Sequence, residues 1–126
     1  MPFVTLTVRK PKTAEFKDKV LTAVHAALVA TGVPDTDRFQ RVLELDASDF
    51  RYDTHYPDVQ TTRTDDFVLI EIVWSVGRSV KVKKKLLADL MDRLRADGFD
   101  PENVLVVFKE TSWENWSFAG GRLLHT

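Results

Sequence analysis

Hydrophobic and polar residues change their spacing twice in the first 45 positions of the chain. Residues 3–9, "FVTLTVR", place apolar side chains at every second position, which predicts a β-strand. Residues 13–32 then show helical spacing, with Thr13 suited to the N-cap and Gly32 to the end of the helix. A second strand is predicted at 38–45, "RFQRVLEL". The first half of the chain therefore has the order strand, helix, strand.

The same order returns in the second half. Residues 66–74, "DFVLIEIVW", predict a strongly apolar strand. Residues 79–98 predict a helix that is capped by Ser79, carries a stripe of leucines and ends at Gly98. Residues 103–110, "NVLVVFKE", predict a fourth strand.

The two halves are interpreted as repeats of one unit. Phe3 and Phe67, near the start of the matching strands, are 64 residues apart, and the glycines that end the two helices are 66 residues apart. We expect pseudo-repeats at about 2–47 and 66–110 and a C-terminal segment at 111–126, all within a single domain of 126 residues.

This order of elements predicts an α/β (α+β) fold. A β-α-β crossover joins parallel strands in the right-handed sense, so two units give a four-stranded sheet with both helices on one face. The strands are apolar on both sides, notably at Phe67, Leu69 and Val73, and we expect oligomerisation to cover the other face. The polar segment 46–65 is too aromatic for a disordered linker and is interpreted as a structured surface segment, a candidate wall of a site.

Charge and composition exclude several classes of protein. The chain carries 18 Lys and Arg against 19 Asp and Glu, a formal net charge of −1, which argues against a nucleic-acid or anionic-membrane binder. No apolar run reaches the roughly 18 residues of a membrane span, and the N-terminus lacks a signal-peptide pattern. The absence of cysteine excludes disulfides and thiolate catalysis. We therefore expect a cytoplasmic protein, and we interpret "KVKKK" at 81–85 as a solvated helix face.

Four distinctive stretches are distributed along the whole chain. They are "MPFVTL" at the start, "GVPDTDRFQ" at 32–40, "GRSVKVKKKL" at 77–86 and "ENWSFAGGR" at 114–122. Together with the duplicated halves, they resemble the tautomerase superfamily, in particular its malonate semialdehyde decarboxylase-like branch, which is related to 4-oxalocrotonate tautomerase. Members of this superfamily use an amino-terminal proline as catalyst.

The resemblance implies a cofactor-free homotrimer whose sheets pack around a central axis. It nominates Pro2, Asp37 and Arg78 as the polar catalytic set, with Trp116 and Phe118 as an apolar wall. One position departs from the pattern. The decarboxylase has two arginines separated by one residue, and the first of these positions is Val76 in this chain.

Pro2 offers a group that no internal residue can supply. If Met1 is removed, Pro2 carries a free secondary amine, and an ordinary α-amino group has a pKa of about 7.7–8.0. Burial, or a positive charge such as that of Arg78, would lower this pKa. Such an amine can remove a proton next to a carbonyl and return it elsewhere. The alternative is that proline only suits the first position of a strand.

Arg78 and Asp37 each have two interpretations. Arg78 precedes the helix that Ser79 caps, where its guanidinium can hold a substrate carboxylate through two hydrogen bonds and polarise a carbonyl. Otherwise it is a solvated surface arginine. Asp37 can orient a water or set the charge on Pro2, or it can be a turn residue that bonds its local backbone.

The aromatic and histidine-bearing stretches are less specific. "DTHYPD" contains Asp53, His55 and Asp58, but the three histidines of the chain lack ligand spacing, so we expect no metal. Tyr52 and His55 are instead candidate pocket walls or interface residues. The aromatic residues near the C-terminus, Trp113, Trp116 and Phe118, fit a core, a trimer interface or a substrate wall.

Three functions remain open at this point. The first is enol–keto tautomerisation of a small 2-keto or 2-hydroxy-enoic acid through Pro2, for which phenylenolpyruvate suits an aromatic wall. The second is malonate semialdehyde decarboxylation, or hydration of an acetylenic acid, with Pro2 protonated. The third is a trimeric binding protein that kept the fold and lost the chemistry.

Overall fold

Four strands and two helices organise residues 1–123, which are the residues that the computed structural model describes. The elements are β1 (Phe3–Arg9), α1 (Ala14–Ala30), β2 (Gln40–Leu45), β3 (Val68–Ser75), α2 (Val80–Ala96) and β4 (Val104–Thr111). Short 3₁₀ turns at Pro101–Asn103 and Trp113–Asn115 flank β4. All four strands and both helices were predicted, with ends that differ from the expected ones by at most two residues.

Both helices have the predicted N-cap residue at their start and the predicted glycine just past their end. The Thr13 hydroxyl accepts a hydrogen bond from the Phe16 amide at 3.0 Å, and the Ser79 hydroxyl accepts one from the Val82 amide at 3.2 Å. Each side chain satisfies an amide that the first helical turn leaves without a partner. Past the last turns, Gly32 and Gly98 have φ values of 112° and 87°, a region that favours glycine.

The sheet has the strand order β2-β1-β3-β4. The outer pairs, β1 with β2 and β3 with β4, are parallel, and the central pair β1 and β3 is antiparallel. Leu6 pairs with Ile70, which is its own counterpart at the 64-residue offset between the halves. The prediction of two β-α-β units in one four-stranded sheet is confirmed.

The core lies between the sheet and the two helices. The apolar side chains of β1 and β3 on this face are at most 2% exposed, as are the leucines of α2 that face them. The contributing residues are Val4, Leu6, Val8, Val68, Ile70, Ile72 and Trp74 from the strands and Val20, Val24, Leu28, Leu86, Leu90 and Leu94 from the helices. The two helices also contact each other, so both cover the same face, as predicted.

The opposite face of the sheet is partly open in the protomer. Leu69 and Val73 are half-buried, and Leu43 and Val107 are 41% and 37% exposed. Phe67 does not belong to this open surface, and the expectation that it needs cover from outside the chain is wrong. It is only 2% exposed, because segment 46–65 of the same chain packs over it.

Segment 46–65 is structured without forming a helix or a strand. The rings of Phe50 and Tyr52 lie 5.8 and 4.2 Å from that of Phe67. The buried side chain of Arg63 donates hydrogen bonds to the carbonyls of Asp53 and Tyr56 and so holds the loop together. The segment therefore covers the Arg9 end of β1, as a structured surface loop.

Most of the lysine-rich stretch behaves as a solvated face. Lys81, Lys84 and Lys85 are exposed, as predicted, whereas Lys83 is half-buried and forms an ion pair with Glu110 at the end of β4. Within residues 1–123, neither helix combines the length and apolar character that crossing a bilayer requires.

Candidate active site

An open cleft of about 480 Å³ lies where β1 begins and β3 ends. Three charged groups converge there from distant parts of the sequence, namely the amino group of Met1, the carboxylate of Asp37 and the guanidinium of Arg78. The antiparallel pairing of β1 with β3 brings the first residues of the chain beside the loop that leads into α2. Apolar side chains complete the wall, among them Val33, Trp74, Val76, Val82 and Trp113.

The amino terminus is fixed rather than loose. Pro2 is buried, and the Val4 amide donates to the Phe39 carbonyl at 2.9 Å, which anchors the start of β1 beside β2. The Met1 nitrogen lies 3.7 Å from Asp37 Oδ2. Burial lowers the pKa of this amino group below its ordinary value, Asp37 acts in the opposite direction, and the positive charge of Arg78 lowers the pKa as well.

Asp37 presents its carboxylate to the cleft. Its backbone amide, not its side chain, makes the local turn by donating to the Pro34 carbonyl at 3.0 Å. One carboxylate oxygen faces the terminal amine, and the other, Oδ1, is buried without a hydrogen-bond partner among residues 1–123. A buried acceptor of this kind is costly unless a donor reaches it, which is typical of sites that bind a polar group.

Arg78 is held in place by its own loop and by two aromatic rings. Its Nη1 donates to the Ser75 carbonyl at 2.9 Å, and its Cζ lies 4.5 Å from the ring centre of Trp74 and 5.7 Å from that of Trp113. Burial lowers the pKa of the guanidinium, and the charges of Glu110 and Asp37 oppose this effect. A half-buried, stacked guanidinium is suited to binding a carboxylate and differs from a solvated surface arginine.

Trp116 and Phe118 lie outside the described wall of this cleft. Their rings contact each other in the C-terminal segment, with centroids 5.7 Å apart, and the lining residues found within positions 1–123 include Trp113 instead. Trp113 begins the 3₁₀ turn after β4 and is therefore the aromatic side chain of this segment that reaches the site.

Tyr52 and His55 lie at the other end of β1. Tyr52 packs under the guanidinium of Arg9 at 4.2 Å and donates to the Thr64 carbonyl, and His55 is exposed beside Thr54. β1 has seven residues, so about 20 Å separates this region from the cleft. Within the protomer, the structure does not bring these two residues to the predicted site.

The "DTHYPD" stretch is a turn in the structure. Asp53 Oδ1 accepts hydrogen bonds from the amides of His55 and Tyr56, both at 2.7 Å, and these bonds lower the pKa of the Asp53 carboxyl group. In the described part of the chain, no group of three or more His, Cys, Asp or Glu side chains is arranged to hold a metal ion.

Two residues that act on Arg78 were missed in the sequence. Trp74 was predicted only as part of the apolar strand 66–74, yet its ring also supports Arg78. Glu110 pairs in register with Trp74 on the helix side of the sheet and acts electrostatically on Arg78. The register of β3 against β4 carries this information, but strand patterns predict register only after the pairing is known.

The fold is that of the tautomerase family. A family model described as "Tautomerase enzyme" matches residues 37–119, and the chain belongs to this family. The probable tautomerase YusQ of Bacillus subtilis (strain 168) is 29% identical over 124 residues, which cover 97% of this chain and 96% of YusQ.

Solved structures show the same architecture. Malonate semialdehyde decarboxylase, described with decarboxylase and hydratase activities, superimposes with a TM-score of 0.86 at 28% identity, covering 96% of this chain and 93% of the other. The symmetric trimer of Q0 fused 4-OT superimposes with a TM-score of 0.74 at 22% identity, covering 96% and 94%. At 22% identity, the likeness to fused 4-OT shows a shared fold. The resemblance to the tautomerase superfamily and its decarboxylase-like branch is thus confirmed.

Proposed function

We propose that this chain is a cofactor-free enol–keto tautomerase that acts on a small 2-keto or 2-hydroxy-enoic acid through the amine of Pro2. The observation that carries the proposal is the meeting of the chain's terminal amine, Asp37 and Arg78 in one cleft. Removal of Met1 would open the cleft that its side chain lines and would leave Pro2 with a free secondary amine.

The reaction needs one proton carrier and no redox partner. The neutral amine takes the proton of the enol hydroxyl, and the oxygen electrons form the carbonyl. The electron pair of the carbon–carbon double bond then takes the proton from the ammonium at the neighbouring carbon. The amine ends neutral, so the proton has moved from oxygen to carbon and the cycle can repeat.

Arg78 and Asp37 have separate roles in this scheme. The Arg78 guanidinium binds the substrate carboxylate and polarises the adjacent carbonyl, since a planar fork of N–H groups matches two carboxylate oxygens. Asp37 lies 3.7 Å from the Met1 amine and raises the pKa of that amine against burial. After removal of Met1, we expect Asp37 to act in the same sense on the Pro2 amine, which keeps a fraction of it able to donate a proton. The wall contributed by Trp74 and Trp113 favours a substrate with an aromatic or apolar body.

Ketonisation of phenylenolpyruvate, followed by ultraviolet absorbance, tests this function. The protein whose Met1 has been removed, verified by intact mass, should convert the enol well above the uncatalysed rate. The same chain with a blocked amino terminus should not. Equal rates in both forms and in buffer would contradict the proposal.

A second candidate reaction is decarboxylation of malonate semialdehyde, or hydration of an acetylenic acid, with Pro2 protonated. It is favoured by the likeness to malonate semialdehyde decarboxylase at 28% identity and a TM-score of 0.86. Val76, 40% exposed at the cleft, weakens it because the second arginine is missing. An NMR product assay on malonate semialdehyde separates the two reactions, since only decarboxylation yields acetaldehyde and carbon dioxide.

A non-catalytic binding protein is the remaining alternative. With Met1 retained, the nitrogen of Pro2 is an amide and has no basic electron pair. An intact mass that includes Met1 in the natural protein would favour this alternative over both reactions.

We also propose that the protein is a homotrimer. The open face of the sheet carries apolar side chains, including Leu43, Leu69, Val73 and Val107, that a second and third copy can cover. The fused 4-OT with the same fold is described as a trimer, which supports this assembly.

A further inference from the structure

An ion pair lies on the same side of the sheet as the proposed carboxylate anchor. Glu110, near the end of β4, is in register with Trp74, so its side chain points to the helix side of the sheet, where Arg78 lies. Lys83, in the first turn of α2, donates a hydrogen bond from Nζ to Glu110 Oε1. The two side chains are 23% and 31% exposed, so water screens the pair only in part.

The same aromatic layer supports both cations. Lys83 Nζ lies 5.7 Å from the ring centre of Phe108, Phe108 stacks on Trp74 at 6.3 Å, and Arg78 lies over Trp74 at 4.5 Å. Lys83 and Arg78 therefore lie over neighbouring rings, and the Glu110 carboxylate, which pairs with Lys83, also acts electrostatically on Arg78. Among the charged groups that raise the pKa of Arg78, Glu110 acts more strongly than Asp37.

We propose that Lys83 holds Glu110 and so keeps the Arg78 guanidinium free for a carboxylate ligand. An internal carboxylate that closed on Arg78 would compete with the substrate, because both would use the same N–H groups. Lys83 and Glu110 are thus positioning residues that control the occupancy of Arg78. The inference rests on the proposed role of Arg78 as the carboxylate anchor.

The test is a cycle of four proteins: wild type, Lys83→Met, Glu110→Gln and the double variant. Methionine retains an unbranched side chain over Phe108 while removing the charge. Lys84→Met is the matched control, since it removes the same charge from an exposed position of the same helix. Two quantities are measured, the NMR signal of the Arg78 Nε–H group, and KM and kcat for phenylenolpyruvate.

We expect Lys83→Met to shift the Arg78 signal in the wild-type background and to leave it unchanged in the Glu110→Gln background. KM should rise about two- to fivefold, the effect of a partly exposed ion pair, with kcat unchanged. Glu110→Gln alone should not raise KM, and neither should Lys84→Met.

A purely structural ion pair gives a different pattern. In that case Glu110→Gln raises KM as Lys83→Met does, or Lys83→Met has the same effect in both backgrounds, and either result overturns the inference. An Arg78 signal that does not respond to Lys83→Met also overturns it. If the wild type shows no turnover, the proposed function fails, while the NMR cycle still decides whether Lys83 controls Arg78.

Discussion

Asp37 and Arg78 act on the terminal amine with opposite signs. The carboxylate of Asp37 raises the pKa of the amine, and the guanidinium of Arg78 lowers it, while burial lowers it most. The result is an amine whose pKa lies below the ordinary value, so a larger neutral fraction exists near pH 7 than in a free chain end. In the proposed reaction, these two side chains would therefore set how well the amine accepts and returns a proton.

Asp37→Asn should move the acid limb of the pH–rate profile to lower pH. In the proposed reaction the neutral amine is the active form, so activity is lost as the pH falls through the pKa of the amine. Without the Asp37 carboxylate this pKa falls further, and we expect a displacement of up to about one pH unit in kcat/KM. Asp35→Asn is the matched control, because Asp35 is 89% exposed and lies outside the lining of the cleft. A limb that stays in place or moves to higher pH contradicts this role.

Arg78→Lys should raise KM more than it lowers kcat. Lysine keeps the positive charge but loses the planar fork and the stacking on Trp74. Loss of one charge-assisted hydrogen bond corresponds to an increase in KM of about tenfold or more. Steady-state kinetics with phenylenolpyruvate measure it, with Arg95→Lys, at an exposed site of α2, as control. A KM equal to that of wild type would show that Arg78 does not bind the carboxylate.

At the scale of the elements, the start of α2 fixes the site. Ser79 caps the helix and immediately follows Arg78, while the Val76 amide donates to the Thr111 carbonyl at 3.0 Å and ties the loop to β4. The loop that carries the guanidinium is therefore held at both ends. The position of the guanidinium therefore depends on the helix cap at one end of the loop and on strand pairing at the other.

Ser79→Ala should lower the free energy of unfolding by about 1 kcal/mol, the usual contribution of an N-cap side chain. Urea denaturation followed by far-ultraviolet circular dichroism measures this change. Ser112→Ala is the matched control, because Ser112 precedes the short 3₁₀ turn and its side chain makes no capping hydrogen bond. Equal losses of stability in the two variants would contradict the capping role of Ser79.

The elements were predictable because each one carries its own local signal. Alternation marks β1, and cap residues such as Thr13 and Ser79 mark the helix starts. The sequence could not indicate that Trp113, and not Trp116, lines the described part of the cleft. After β4, apolar and polar residues follow neither the spacing of a strand nor that of a helix. The covering of Phe67 depends on a loop whose path only tertiary contacts define.

At the scale of the whole molecule, duplication explains why the first residues lie beside the proposed site. The pairing of Leu6 with Ile70 places the two β-α-β units around an approximate two-fold axis through the sheet. At the end of β3, the amino terminus approaches Arg78. At the other end of β1, Asp66 and Phe67 lead into β3 within a continuous chain, which offers no terminal amine. The proposed chemistry is therefore expected only at the end of the sheet that holds the amino terminus.

Val107→Glu should dissociate the proposed trimer. Val107 is 37% exposed on the open face of the protomer, so a charge there costs the isolated fold little, but it would be buried between copies. Sedimentation at micromolar concentration should show a trimer for wild type and for Lys84→Glu, an exposed helix position, and smaller species for Val107→Glu. A wild-type protein that sediments as a monomer would refute the assembly.

The central claim is that the amine of Pro2 carries the proton, and Pro2→Ala tests it most directly. Both proteins are first shown by intact mass to lack Met1, and phenylenolpyruvate ketonisation is then followed at the same pH. We predict a fast wild-type rate and a loss of about a hundredfold or more in the variant, the usual contribution of a positioned acid–base group. Equal catalysed rates in the two proteins would contradict the claim and leave Pro2 only as the first residue before a strand.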